Sequence, residues 1–220
     1  MIKIWYDITW KWGIVVKTIC LEKNQINEAT TILNKGGILA FPTDTVYGIA
    51  VRYDHDEAIK RMKQVKGRDA SKPFPFMVSK KEQITEIALL NQRDYQLIEA
   101  WLPGALTFLF EKSEKVSDEL TNGLSTVAVR MPDDEFVLSL IDEMNIPLLV
   151  TSANLSGETA GTTHEEVLAQ LDGKIEGIIL GNSGSKQAST IIDASKEKLI
   201  LIRQGEISLQ NIEESLEEKE

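Results

Sequence analysis

Cysteine, histidine and long apolar runs are what this 220-residue chain has least of. A single cysteine, Cys20, excludes an internal disulfide, and with only His55 and His164 beside it no cluster has zinc-ligand spacing. The longest apolar stretches, residues 36–41 and 146–150, fall far below the ~18 residues needed to span a bilayer. Asp7, Lys11 and Lys17 interrupt the N-terminal apolar residues, so neither a secretory leader nor a membrane helix is expected, and a reducing cytoplasm is the expected location. No GxxxxGK[ST], GxGxxG or GxSxG pattern occurs, which removes the common phosphate-loop, dinucleotide-binding and hydrolase-elbow chemistries. Positive charge is scarce as well. With 24 basic against 34 acidic residues the net charge is −10, which opposes a non-specific hold on polyphosphate and confines any anion site to a local patch.

What is present is globular: 42% hydrophobic and 26% charged residues, in a chain long enough to bury roughly 70% of its unfolded surface without a staple. Strand-like runs recur at residues 14–21, 37–41, 74–78, 106–110, 126–131, 148–151, 177–180, 190–192 and 199–203. Helical segments lie between many of them. Residues 27–35 stop at Gly36-Gly37 and residues 56–66 stop at Gly67. Ser79 with Glu82, and Thr163 with Glu166, have capping-box spacing, and Pro132-Asp133-Asp134-Glu135 opens a further helix with negative charge at its positive end. No linker or repeat divides the chain. The expectation is an N-terminal extension at residues 1–13, one α/β domain at residues 14–206, and an acidic C-terminal helix or tail at residues 207–220. Cys20, in an apolar run, is expected in the core.

Four segments carry more chemistry than a connection needs. Phe41-Pro42-Thr43-Asp44-Thr45-Val46-Tyr47-Gly48 groups hydroxyls, a carboxylate and a phenol directly after a strand, although an Asx-type turn would use the same residues. Lys66, Arg68 and Lys72 continue a basic cluster beyond the helix carrying Lys60, Arg61 and Lys63, where dipole compensation no longer explains them, and suggest a phosphate ligand. Thr151-Ser152-Ala153-Asn154-Leu155-Ser156-Gly157 follows a buried-looking strand, a position where open α/β folds bind ligands. Arg130 and Arg203 each end a strand, where an arginine clamps a carboxylate or sits on the rim. His55 and His164 read as surface residues or caps. Trp5, Tyr6, Trp10 and Trp12 read as aromatic residues packed onto the domain, or as a stacking platform for bases.

Residues 36–48, Lys66-Gly67-Arg68, Pro103-Gly104-Ala105-Leu106-Thr107, Val127-Ala128-Val129-Arg130 and Ser152-Ala153-Asn154-Leu155-Ser156-Gly157, in this order, resemble the Sua5/YrdC/YwlC family of threonylcarbamoyl-AMP synthases. The resemblance spans about residues 14–206 and is to the short, single-domain bacterial type. It implies an α/β fold built on a single open, twisted, mixed but largely parallel sheet flanked by helices. It also implies a nucleotidyltransferase reaction in which L-threonine, bicarbonate and ATP give L-threonylcarbamoyladenylate and pyrophosphate. A downstream threonylcarbamoyl-transferase complex would then modify the adenosine beside the tRNA anticodon. Carried over residue by residue, the family signature makes Lys66, Arg68, Ser152 and Asn154 catalytic. Arg68, Lys72, Thr126, Asn154, Thr162 and Arg203 would bind ATP. Thr45, Tyr47, Arg130, Ser152 and Ser189 would surround threonine, with Arg130 on its carboxylate. Mg²⁺ would be held mainly by ATP, with no metal ligand from the protein. A His of the longer relatives is replaced here by Met77. Two alternatives stand beside this reading. A double-stranded-RNA or tRNA-binding module would make weak backbone contacts through the basic patch, against the net charge. A carbamoyladenylate-forming domain of hydrogenase maturation proteins would normally carry further modules.

Overall fold

The structure, a computed structural model, describes residues 17–67 and 72–217. The aromatic residues Trp5, Tyr6, Trp10 and Trp12, the loop residues Arg68 to Ser71, and residues 218–220 lie outside the described residues. The chain runs through β1 (Ile19–Leu21), α1 (Ile26–Asn34), β2 (Leu39–Phe41), β3 (Gly48–Arg52), α2 (Asp56–Lys66), β4 (Phe76–Met77) and α3 (Lys81–Ile87). It continues through β5 (Ala88–Leu89), α4 (Gln92–Trp101), β6 (Leu106–Lys112), α5 (Asp118–Thr121), β7 (Thr126–Arg130) and α6 (Glu135–Met144). The last elements are β8 (Leu148–Ser152), α7 (His164–Leu171), β9 (Gly177–Ile179), β10 (Thr190–Asp193), β11 (Ile200–Arg203) and α8 (Leu209–Glu217).

Helix boundaries follow the local chemistry. His55 caps α2 by accepting from Ala58 N, Asp56 and Glu57 fill its first turn, and Gly67 ends it at φ 58, a left-handed conformation that a side chain would strain. Asp134 caps α6 by accepting from Val137 N at 3.0 Å. Thr163 caps α7, while the Glu166 carboxylate returns to the Thr162 N–H, one residue earlier than an ideal box. The expected Ser79–Glu82 box is replaced. Because α3 begins only at Lys81, Gln83 occupies the third helical position, and its carboxamide oxygen accepts from Ser79 N and Lys80 N at 2.9 and 3.3 Å. α4 carries a box of Asn91 with Asp94 that the sequence reading did not single out.

The strands form one open mixed sheet in the order β1-β9-β2-β3-β8-β4-β7-β6-β10-β11, with β5 attached to β6. The sheet is mixed as expected, but not largely parallel: among the described residues four pairs are parallel and six antiparallel. Two of the antiparallel pairs come from β3, a strand that no run in the sequence announces. It returns from the 42–47 loop and inserts antiparallel between β2 and β8. Its first four residues are buried, so no polar alternation announces a strand.

Alternation across the pleat sends side chains to two faces. On one face Ala40, Ile49, Val51, Phe76, Leu149, Val129, Phe108 and Phe110 pack under α2, α3, α4, α7 and α8. On the other, Leu39, Phe41, Ala50, Leu148, Val150 and Met77 pack under α1 and α6. That second layer stops short. On the same face Thr126 and Ala128 of β7, Leu109 of β6 and Ile191 of β10 belong to neither core and are half-buried, leaving an open floor. Cys20 corrects the expectation of a core position: Ile19 and Leu21 share one side of the sheet's edge strand, and Cys20, on the other, is exposed.

The acidic C-terminal segment is more than a frayed end. Ile212 of α8 is fully buried against the main core, and Ser215 accepts from the Trp101 indole N–H at 2.9 Å. Ile212→Ala is expected to reduce unfolding free energy by about 2–4 kcal/mol in urea titrations. A shift below 0.5 kcal/mol would mean α8 is not docked in solution.

Candidate active site

Two cationic centres flank the open floor. The first is built on Arg130, at the end of β7 and 7% exposed. Its guanidinium donates through Nε to the Gly104 carbonyl at 3.4 Å, through one terminal nitrogen to Thr45 Oγ1 at 2.8 Å, and through the other to Asp44 Oδ1 at 2.6 Å. Two separate segments, the 42–47 loop and the turn at Gly104, thus fix one planar group. These contacts leave one N–H on each terminal nitrogen, which suits a bidentate carboxylate. Arg203 lies alongside, in register with Ile191 on the same face, and donates to the Ser189 carbonyl at 3.1 and 2.8 Å and to Ser189 Oγ at 3.2 Å. Ser189 is shared with Thr107 Oγ1 at 2.9 Å.

The charges of this centre do not balance. Burial pulls the Arg130 pKa down and Asp44 opposes that shift, whereas for Arg203 burial and repulsion from Arg130 both act downward. Two cations face one carboxylate, so the pocket favours an added anion.

The second centre gathers around Lys66, the last residue of α2 and 4% exposed. Its ammonium donates to the Ser152 carbonyl at 2.6 Å and to Asn154 Oδ1 at 3.0 Å, with Ser152 Oγ at 3.5 Å. The Asn154 amide nitrogen donates in turn to the carbonyls of Leu155 and Glu158 at 2.8 and 2.7 Å, which settles the orientation of the carboxamide. Ladder register gives the spacing of the two centres. Arg130 is level with Met77 and Leu148, and Ser152 lies four residues farther along β8, about 13 Å along the strands and about 10 Å across them.

The 42–47 loop is tied to both centres. Ala153 N donates to the Tyr47 carbonyl at 2.7 Å beside the Lys66 cluster, while Asp44 and Thr45 hold Arg130. Gly184 N and Ser185 N donate to the carbonyls of Thr43 and Thr45 at 2.8 and 2.9 Å, so the segment after β9 straps the loop down. Tyr47 is fully buried, with its hydroxyl against the carbonyls of Ile179 and Gly181 at 2.9 and 2.8 Å. Burial, with a smaller contribution from Glu165, pushes its phenol pKa up, so Tyr47 is a neutral brace behind the pocket. At Gly184 the backbone crosses Asp44 so closely that a Cβ would lie 2.6 Å from the Asp44 carbonyl oxygen. Gly184→Ala is therefore expected to displace Asp44, weaken ligand binding at the Arg130 centre about tenfold in calorimetric titration, and leave the overall circular dichroism unchanged. Wild-type affinity would show that the strap yields freely.

The expected site residues thus fall into groups. Thr45, Arg130, Ser189 and Arg203 meet at one centre, and Lys66, Ser152 and Asn154 at the other. Thr126 lies on the open floor at the opposite end of β7 from Arg130, level with the Ser152 end of β8. The Thr162 hydroxyl contacts Glu166 at 3.0 Å, and its carbonyl accepts from Ser183 N at 2.9 Å. Lys72 is exposed and bonded to neither centre, and Arg68 lies outside the described residues. Met77 is the ladder partner of Arg130 and is buried in the apolar layer, so β4 brings no polar group to this centre. Asp44, Thr107 and the Gly104 carbonyl had no role assigned from sequence. An acid between two threonines, in a loop that groups hydroxyls with a carboxylate, was the available signal for Asp44.

The family profile Sua5_yciO_yrdC, described as "Telomere recombination", matches residues 31–205. A Bacillus subtilis protein named threonylcarbamoyl-AMP synthase is 34% identical over 209 residues, which are 93% of this chain and 60% of that relative. A Pyrococcus abyssi protein of the same name is 36% identical over 200 residues, covering 90% of this chain and 59% of that relative. The crystal structure of P. abyssi Sua5 complexed with L-threonine aligns with a TM-score of 0.84 at 34% identity, over 92% of this chain and 61% of that one. The chain spans about three-fifths of the length of the curated relatives it matches. Both cationic centres and the loop that ties them fall inside the matched span, and the chain belongs to the Sua5/YciO/YrdC family.

Proposed function

We propose that this chain is an L-threonylcarbamoyladenylate synthase, joining L-threonine, bicarbonate and ATP with release of pyrophosphate, in support of tRNA N6-threonylcarbamoyladenosine formation by a downstream transferase complex. The observation that carries the reading is the pair of cationic centres, Arg130 at the end of β7 and Lys66 beside the end of β8, tied together by the 42–47 loop. A carboxylate clamp at one end and an ammonium in a hydroxyl and amide cage at the other suit an amino acid and a triphosphate bound together. The names of the two curated relatives support it, as does the threonine bound by P. abyssi Sua5.

In this reading Arg130, with Thr45 and Ser189, holds the threonine carboxylate and hydroxyl. The deprotonated amine of threonine and bicarbonate condense to N-carboxy-threonine with loss of water; a carbamate oxygen then attacks the α-phosphorus, the bond from that phosphorus to the bridging oxygen breaks, and pyrophosphate departs with the electron pair. The protein's share is positioning and charge, which is why no nucleophilic triad is required. Lys66, held by Ser152 and Asn154, stabilises charge on the phosphates, with Arg68 as its sequence neighbour in that role. Arg203 neutralises charge between the two substrates, and Lys72, Thr126 and Thr162 bound the nucleotide. Among the described residues no group of three or more His, Cys, Asp or Glu side chains is arranged to hold a metal ion. In this reading Mg²⁺ would be held mainly through the phosphate oxygens of ATP, whose charge it would help to neutralise. No helix of the described residues is long and apolar enough to cross a membrane.

Purified protein with ATP, Mg²⁺ and bicarbonate should release pyrophosphate only when L-threonine is added, with the acyl-adenylate detected by mass. Absence of release, together with salt-sensitive RNA binding indifferent to threonine, would replace this reading with that of an RNA-binding module.

A further inference from the structure

The Asp44 carboxylate is not consumed by its ion pair. One oxygen accepts from Arg130 at 2.6 Å, and the side chain is 13% exposed. The second oxygen, Oδ2, accepts no hydrogen bond from the described residues and is not among the fully buried polar atoms without a partner, so it is reachable from solvent. The backbone holding Asp44 is pinned by Gly184 N on the preceding residue's carbonyl and Ser185 N on the following one's. Its position is therefore set independently of Arg130.

We propose that Asp44 is the specificity residue for the substrate's α-ammonium, making the Arg130 centre selective for an α-amino acid zwitterion over a plain carboxylate. The inference rests on the synthase reading and deepens it. A carboxylate taken by the two remaining N–H groups of Arg130 carries its own α-nitrogen one carbon away. A cation there is within hydrogen-bond reach of an acid already seated on the same guanidinium. The charge count agrees. Against Arg130, Arg203 and Asp44, a zwitterion adds no net charge, with carboxylate on Arg130 and ammonium on Asp44, so the surplus positive charge of Arg203 remains available to phosphate. A plain carboxylate would keep the Arg130 contacts but meet the repulsion of Asp44 with no cation of its own to offset it.

The test is calorimetric titration of wild type, Asp44→Asn and Asp44→Glu with L-threonine and with 3-hydroxybutanoate, which lacks the α-amino group. Thermal melts would confirm that each variant is folded. Wild type is expected to prefer threonine by at least tenfold. Asp44→Asn keeps an oxygen for Arg130 and should lose that preference, with weaker threonine binding and unchanged or tighter hydroxybutanoate binding, whereas Asp44→Glu should retain it. An Asp44→Asn protein that weakens both ligands equally would make Asp44 only a brace for Arg130 and overturn the inference, as would an unchanged ratio. In either case threonine binding by wild type leaves the synthase reading standing. A wild type that binds neither ligand overturns both.

Discussion

Arg130→Ala is expected to abolish threonine binding and to lower stability by about 3–5 kcal/mol, because it leaves Asp44 largely buried without its cation. Arg130 is itself nearly inaccessible, so little solvent screening softens that loss. The double variant Asp44→Ala/Arg130→Ala separates the two effects. With neither charge present, stability should recover to within about 2 kcal/mol of wild type while threonine binding stays lost, a coupling that a double-mutant cycle in urea measures. Arg130→Lys is expected to rescue stability in part and binding poorly. An ammonium cannot reach Gly104, Thr45 and Asp44 together and still present two parallel donors to a carboxylate. Retention of threonine affinity in Arg130→Ala would remove this centre from the substrate site.

Lys66→Met should reduce pyrophosphate-forming turnover by about a hundred- to a thousandfold, which corresponds to ~3–4 kcal/mol of lost transition-state stabilisation. Methionine keeps the buried apolar stem and removes only the charge, so packing is a minor part of the effect. It also leaves Asn154 Oδ1 and the Ser152 carbonyl without their ammonium donor, which should lower stability by roughly 1–3 kcal/mol. Lys66→Arg is not expected to restore turnover, since a planar guanidinium does not fit a cage formed around a compact ammonium. Threonine affinity, set at the other centre about 13 Å away along the strands, should be nearly unchanged in both variants. Normal turnover in folded Lys66→Met protein would mean the phosphates are held elsewhere.

Much of the architecture was legible because apolar runs and caps are local signals. The helix over residues 56–66 with its stop at Gly67 follows directly from its end residues, and Asp134 caps its helix as the Pro-Asp-Asp-Glu pattern implies. The strand Gly48–Arg52 was not legible. Its leading residues are buried, and a glycine closing a turn looks the same whether a loop or a hairpin strand follows. The direction of strand pairing was not legible either: the unseen strand contributes two antiparallel pairs, and the others join strands whose pairing no local run reports. Cys20 was misread because an apolar run at a sheet edge still sends every second side chain away from the core.

By itself the sequence determined the fold class, the exclusion of nucleophilic-triad and phosphate-loop chemistry, and the identity of the cationic side chains, since composition and short motifs depend on neighbours within a few residues. Only the tertiary structure decided how those cations are partnered. Asp44 and Arg130 are 86 positions apart, and Lys66 and Asn154 are 88 apart. No periodicity or local spacing reports a pairing over such separations, because it arises where strands from distant parts of the chain end on one face and their loops are strapped together. The division of that face into a helix-covered half and an open floor is likewise a property of the sheet order, which no single strand encodes.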